Sequence, residues 1–388
     1  VTVQTIYEIL FATFAFFLGA CIGSFLNVCI YRLPLNMSVD EPKRSFCPIC
    51  KYQIPWTSNL PLITWTVQRG KCKNCRAPIP FRYFGVELLT AILFLATWLH
   101  LSHPAGMPFP GKWILIFPMF TFVSLLIVAT FIDFEHFIIP DSVTIGGTIA
   151  GLVFSAGLPW LHGETAFGVQ ESIRSLMWSV IGAAIGFALL WLVSWLGRLA
   201  FGRKKLLFEK AVPFTWKLEG EGEEKRARFT IAGDEQWWDE LFATEKDTLV
   251  MQCESFSLGE KTAGTCEIRS LYERLTFDGE EHDLNHVETF TGTLTQVEFR
   301  RTAMGFGDVK FIACIGAFLG WQATIFSVTA GAFLGAFLGY GSRLIGKKEW
   351  STRIPYGPCL AFGALVWFFY GPQFLDWYLN WSNPIAGG

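Results

Sequence analysis

The stretch Ala303-Met304-Gly305-Phe306-Gly307-Asp308-Val309-Lys310 closes a long polar segment and opens straight into an apolar run, 311–320. An ionised aspartate at the mouth of a membrane helix leaves water for a poor dielectric, which is costly. The two glycines ahead of it, Gly305 and Gly307, let the backbone take conformations that a side chain forbids and let a peptide approach closely. A glycine turn whose aspartate caps the next helix accounts for the same letters. A second boundary aspartate shifts the balance: Asp133, in Ile132-Asp133-Phe134-Glu135-His136, followed by Pro140-Asp141. Two such carboxylates brought together can divide acid and base work on one bond.

Composition sets the surroundings. The 388 residues are 52% hydrophobic and 16% charged, against about a quarter charged in a soluble chain, so a polytopic α-helical membrane protein is expected. Apolar runs near the length that fits a bilayer core fall at about 5–30, 84–101, 112–132, 141–161, 173–200, 309–321, 323–342 and 356–375, about eight spans. The sixth is short, and its junction with the seventh at Gly320-Trp321-Gln322 is tight. The N-terminus, Val1-Thr2-Val3-Gln4, lacks a basic region ahead of its apolar run, so no cleavable signal is expected. Residues 31–85 carry nine Lys and Arg against Asp40 and Glu41, while 102–111 and 162–172 carry almost none. The basic side should be cytoplasmic. An eight-span count then puts both Asp133 and Asp308 at the cytoplasmic boundary.

The first basic loop, about 31–84, holds Cys47-Pro48-Ile49-Cys50 and Cys72-Lys73-Asn74-Cys75. Two such knuckles can give four thiolates to one tetrahedral zinc, as in zinc ribbons; a disulfide framework is disfavoured in a reducing compartment. With Cys47, Cys50, Cys72 and Cys75 filling the coordination, the metal is structural. Just before it, Gly23-Ser24-Phe25-Leu26-Asn27 and Arg32 end the first span. Gly23 and Ser24 suit close helix packing and Arg32 an interfacial anchor. Glu87, just inside the second span, is a functional acid, a cap or an Arg partner. Asp141, after Pro140, suits the positive start of a helix.

Residues 203–303 hold 21 of the 33 acids and set off a separate soluble insert. Alternating segments at 228–231, 248–253 and 293–299 are predicted strands of a small β-rich domain. There is no phosphate loop, dinucleotide fingerprint or basic patch for nucleic acid. Four regions are expected: 1–100 with two spans and the zinc loop, 101–205 with spans and the first aspartate, the insert 206–302, and 303–388.

Taken together, these motifs resemble the bacterial type IV prepilin peptidases, leader peptidase/N-methyltransferases with a Gly-x-Gly-Asp element. The likeness covers 1–205 and 300–375 and rests on Gly23 to Val28 with Arg32-Leu33-Pro34, the two Cys-x-x-Cys pairs, Ile132-Asp133 with Pro140-Asp141, and Gly305 to Lys310. The insert departs from the short loop usual there. The resemblance implies an aspartic endopeptidase with Asp133 and Asp308 as its catalytic pair and Gly305, Gly307 and Lys310 in the active-site loop. It implies zinc on the four cysteines, and N-methylation from S-adenosylmethionine in the N-terminal third, with Gly23, Ser24, Asn27, Arg32 and Glu87 as candidates. Its implied partners are prepilins or type II secretion pseudopilins, the bilayer of the bacterial inner membrane, and pilus or secretion assembly components. Substrate would be cut at the cytoplasmic face, before a helix beginning with Phe. Three other readings fit parts of the chain: a presenilin-like intramembrane protease, a proton-coupled transporter relaying protons through Asp133 and Asp308, and a membrane scaffold.

Overall fold

The computed structural model describes residues 3–35, 37–41, 45–47, 49–55, 60–102, 109–201, 203–219, 226–242, 247–259, 261–300, 305–345 and 355–382. Ala303 and Met304 lie outside these. The chain divides into two compact units, one of residues 1–190 with 307–388 and one of 191–306.

The first unit is helical, as lipid demands of any chain whose backbone must satisfy itself within each segment. Its long helices are α1 (Val3–Arg32), α3 (Phe81–Ser102), α4 (Phe109–His136), α5 (Asp141–Gly157), α6 (Val169–Phe201, which runs on into the second unit), α7 (Phe306–Ile345) and α8 (Gly357–Ser382), with a short α2 (Ile63–Val67) in the first loop. Among the described residues, six helices are long and apolar enough to cross a membrane. The expected eight differ in two places. Helix α5 has only 17 residues, and α7 carries two expected spans on one 40-residue element.

That element is not straight. Gly320 has φ 81 and ψ 179, outside the helical region, a backbone for which glycine is suited. Thr324 Cγ2 comes within 2.7 Å of where a Cβ on Gly316 would sit, whereas eight residues of straight helix span ~12 Å. The chain therefore doubles back at Gly320-Trp321, as the tight junction suggested. A turn there frees carbonyls from the helical ladder. Ala317 O is taken up by Ser179 Oγ at 2.7 Å, with His162 Nε2 at 3.2 Å. The first arm is almost entirely buried, Val309, Phe311, Ile312, Cys314, Ile315 and Phe318 each exposing 1% or less. It meets α6 where Gly182 and Gly316 leave no room for any side chain on either helix.

The second unit is an antiparallel sheet from β1 (Arg203–Glu219), β2 (Arg226–Ile231), β3 (Asp234–Trp237), β4 (Thr248–Leu258), β5 (Lys261–Ala263), β6 (Cys266–Ser270), β7 (Arg274–Phe277), β8 (Glu280–Asp283) and β9 (Thr289–Arg300). Its order is β3-β2-β1-β9-β4-β6-β7-β8, with β5 on β4. The first and last strands pair along most of their length, from Arg203↔Arg300 to Lys217↔Thr289. Trp216 stacks on Phe290, ring centroids 5.0 Å apart, and Phe214, Phe229, Trp238 and Phe256 complete an aromatic core. The predicted strands are thus in place, and Trp238–Leu241 forms a 3-10 turn between β3 and β4. With so much apolar surface within one sheet, the isolated segment 203–300 is expected to give a β-rich circular dichroism spectrum and a cooperative thermal transition. A random-coil spectrum would refute an autonomous fold.

Candidate active site

Asp133 lies in the last turn of α4, 5% exposed. Its Oδ2 accepts the backbone N–H of Gly357 at 2.9 Å, from the first residue of α8. This places the carboxylate at a helix N-terminus, where free N–H groups and the helix dipole favour negative charge. A Cβ on Gly357 would stand 2.8 Å from that same oxygen. Asp308 lies in the first turn of α7, and the two carboxylates are within electrostatic reach of each other. Asp308 Oδ1 is buried with no hydrogen-bond partner among the described residues. An orphaned buried carboxylate oxygen is rare because it is costly, so a simple capping role does not account for Asp308. Tyr356 and Cys359 complete the cluster: both feel the charge of Asp308, and the Tyr356 hydroxyl donates to Val328 O at 3.0 Å on the returning arm of α7.

Gly307 corrects one expectation. It lies within the first turn of α7 with no left-handed backbone; its missing side chain instead admits Ile139, whose Cβ would be 3.4 Å from a Gly307 Cβ. Gly305 precedes the helix, exposed. Lys310 points to α5, where its Nζ donates to Asp141 Oδ1 at 2.5 Å. Asp141, read as a helix-start acid, is in the first turn of α5 and also holds that ion pair. Glu135 pairs with Arg82, tying the end of α4 to the start of α3.

The four cysteines form a second centre. Their Sγ atoms lie within 4.8 Å of one another, with Cys47–Cys75 at 3.8 Å and Cys50–Cys72 at 4.0 Å. Tetrahedral zinc with Zn–S near 2.3 Å needs sulfurs ~3.8 Å apart. The two knuckles are copies of one turn. Lys51 N–H donates to Cys47 O and Arg76 N–H to Cys72 O, and both Lys51 and Arg76 have positive φ. The bridges Phe46↔Gln53 and Lys71↔Pro78 close the two turns alike. The Asn74 amide, with the Tyr52 N–H, holds the Cys50 thiol down to about 6, and the Cys75 and Asn74 N–H groups lower Cys72. Cys75 goes the other way, to about 11: the Ala77 N–H favours its thiolate, but desolvation and the neighbouring sulfurs outweigh it. Four convergent sulfurs, two of them with thiols held below the usual range, make a set that can bind a metal.

Beside the knuckles lies a cavity of 270 Å³. It gathers Ser24, Asn27 and Arg32 from α1, Glu87 from α3 and Trp65 from α2, with Cys47 and Cys72 in its wall. Of the five N-terminal candidates, only Gly23 is outside the lining. Its lack of a side chain brings α1 against α3, a Gly23 Cβ falling 2.7 Å from Glu87 Cα. Asn27 donates to Tyr83 O at 3.0 Å, and its buried Oδ1 has no partner among the described residues. Arg32, 4% exposed, donates to Ser38 O at 3.1 Å and Val39 O at 2.7 Å; it braces the loop instead of snorkelling.

Two family models match. Residues 17–101 match the bacterial Peptidase A24 N-terminal domain, and 120–218 with 287–340 match the type IV leader peptidase family. A prepilin leader peptidase/N-methyltransferase of Klebsiella pneumoniae is 34% identical over 52% of this chain and 80% of its own length. The chain belongs to the type IV leader peptidase family. The enzyme of the same name from Aeromonas hydrophila is 27% identical over 96% of this chain and 94% of its own length. That from Dichelobacter nodosus is 35% identical over 49% and 68%. No solved structure matches significantly. Membership of this family leaves the transporter and presenilin-like readings without favour.

Sequence reasoning missed Gly357, Tyr356 and the cavity. Gly357-Pro358 ahead of an apolar run did mark a helix start, but a backbone donor leaves no letter of its own.

Proposed function

We propose that this chain is a prepilin leader peptidase that also N-methylates the new N-terminus, with Asp133 and Asp308 as its hydrolytic pair. The observation that carries the reading is the buried approach of two carboxylates from α4 and α7, one held by a backbone N–H and one with an unpartnered oxygen. The ionised member takes a proton from water as it attacks the scissile carbonyl; the protonated member donates to the carbonyl oxygen and then serves the leaving amine. The Arg82–Glu135 pair ties the end of α4 that carries Asp133 to the start of α3. Mass spectrometry of a co-expressed prepilin tests this: leader removal and a methyl increment are expected in one spectrum, and an intact leader would refute the reading.

The membrane arrangement follows from the same features. Counting α5, at ~25 Å, and the two arms of α7 as separate passes gives eight, with the basic loop 31–85 and both aspartates on the cytoplasmic side of the inner membrane. Prepilins or pseudopilins are then bound with leader in the cytoplasm and helix in the bilayer. Domain limits at 1–100, 101–205, 206–302 and 303–388 belong to this reading.

The metal is zinc, supported by sulfur spacing and thiolate character. S-adenosylmethionine, the donor named by the methyltransferase reading, supplies a methyl group on a sulfonium sulfur. The cavity suits it by chemistry, offering aromatic walls and the Asn27 Oδ1, which has no partner among the described residues. Because Cys47 and Cys72 form part of that wall, the metal shapes the methylation site. Replacing Cys47, Cys50, Cys72 and Cys75 by Ser together is expected to remove about one zinc per chain and to depress methylation more than cleavage. Metal analysis and the two product masses check this; a zinc-free wild type would refute the assignment.

A further inference from the structure

Glu87 is the acid in the cavity that neither the metal nor the dyad uses. Its carboxylate accepts the Leu62 N–H at 2.7 Å and a hydrogen bond from Ser24. Among the described residues no Lys or Arg pairs with it, although Arg32 and Lys73 also line the cavity. Leu62 itself is held at φ 64, a conformation leucine rarely adopts. The turn that carries α2 over the cavity is thus pinned to Glu87. Two donors do not saturate a carboxylate, which offers about four acceptor sites.

Position separates Glu87 from the loop side of the lining. The knuckles and α2 belong to the polar loop, whereas Glu87 lies within the apolar run of α3, one turn beyond Tyr83. A water-soluble donor reaches the cavity from the loop. On the prepilin-processing reading above, the cleaved pilin comes to it from the bilayer, its α-amine leading. The start of α3 is tied by Arg82–Glu135 to the end of α4, two residues from Asp133. The amine released at the dyad therefore has an acidic acceptor on the adjoining helix.

We propose that Glu87 receives the new α-ammonium group of the cleaved pilin and takes one proton from it before methyl transfer. This rests on the methyltransferase reading above. The freed nitrogen lone pair then forms the C–N bond as the C–S bond of the sulfonium donor breaks, the bonding pair remaining on sulfur. The product is a methylammonium, and the proton on Glu87 leaves to water. An ammonium could also come from the methionine moiety of the donor, and the test separates the two sources.

The variant is Glu87→Gln, which keeps an acceptor for Leu62 N–H and Ser24 but removes the charge. Full-length wild type and variant in nanodiscs are titrated, with no methyl donor present, with a synthetic mature-pilin N-terminal peptide beginning with Phe. The peptide carries either a free or an acetylated terminus. The expected result is at least about tenfold weaker binding of the free-amine peptide to Glu87→Gln, with no change for the acetylated one. Methylation of the free peptide should fall at least about a hundredfold. A second variant, Glu87→Asp, should recover part of both. Equal binding of the free-amine peptide to wild type and Glu87→Gln overturns the proposal, including where donor binding alone is weakened. So does equal loss for both peptides, which is the mark of a collapsed turn. A wild type that cleaves but adds no methyl group overturns the methyltransferase reading itself, a separate failure.

Discussion

Asp133→Asn and Asp308→Asn are each expected to lower leader cleavage by at least about a thousandfold, with the chain still folded in the membrane. Each substitution keeps shape and removes one proton-transfer group. At Asp133 the asparagine oxygen can still accept the Gly357 N–H, so the link from α4 to α8 survives. At Asp308 the described residues make no bond to Oδ1 that could be lost. The loss should therefore fall on kcat, with stability near wild type, as read by processing of a purified prepilin and by thermal unfolding in detergent. Asp141→Asn is the control. It breaks an ion pair whose aspartate side chain is 62% exposed, worth little in stability, and should leave cleavage within about threefold. Normal processing by either dyad variant, or loss in the control alone, would reassign the chemistry.

What could be read from the letters follows a physical rule. The approach of Asp133 to Asp308 and the convergence of the four cysteines were legible because both rest on side chains at diagnostic places: acids at the mouths of apolar runs, and thiols at a metal spacing. The sheet was legible because period-2 alternation survives in β2, β4 and β9. Asp141 was half legible. Its place at a helix start could be seen, but its partner Lys310 is 169 residues away. The span count was ambiguous where the chain breaks its own rules, at a 17-residue helix and at a hairpin turned on one glycine. The cavity was illegible as a cavity, because its walls come from α1, α2, α3 and both knuckles. Gly23, Asn27 and Glu87 could be flagged one by one, but not their convergence.

Gly357 is the clearest omission, and it carries the second large effect. Its N–H holds Asp133 Oδ2 at 2.9 Å, and a Cβ there would stand 2.8 Å from that oxygen, 3.3 Å from Asp133 Cγ and 3.0 Å from Ile139 Cδ1. Ile139 is itself 7% exposed and has little room to yield, so the carboxylate must turn away. Displacing a catalytic group by ~1 Å can cost about a hundredfold. Gly357→Ala is therefore expected to lower kcat for cleavage between about tenfold and a hundredfold. Helix α8 should not suffer, since alanine is the better helix former. Methyl transfer to a peptide supplied already cleaved should be unchanged, because Gly357 is not among the residues lining the cavity of Ser24, Asn27 and Glu87, and a Cβ there would meet Asp133 and Ile139 instead. Unaltered cleavage by Gly357→Ala would mean that Asp133 finds its working position without the α8 backbone. Loss of both activities together would mean that the residue serves folding, and the hydrogen bond would then be a consequence of the packing.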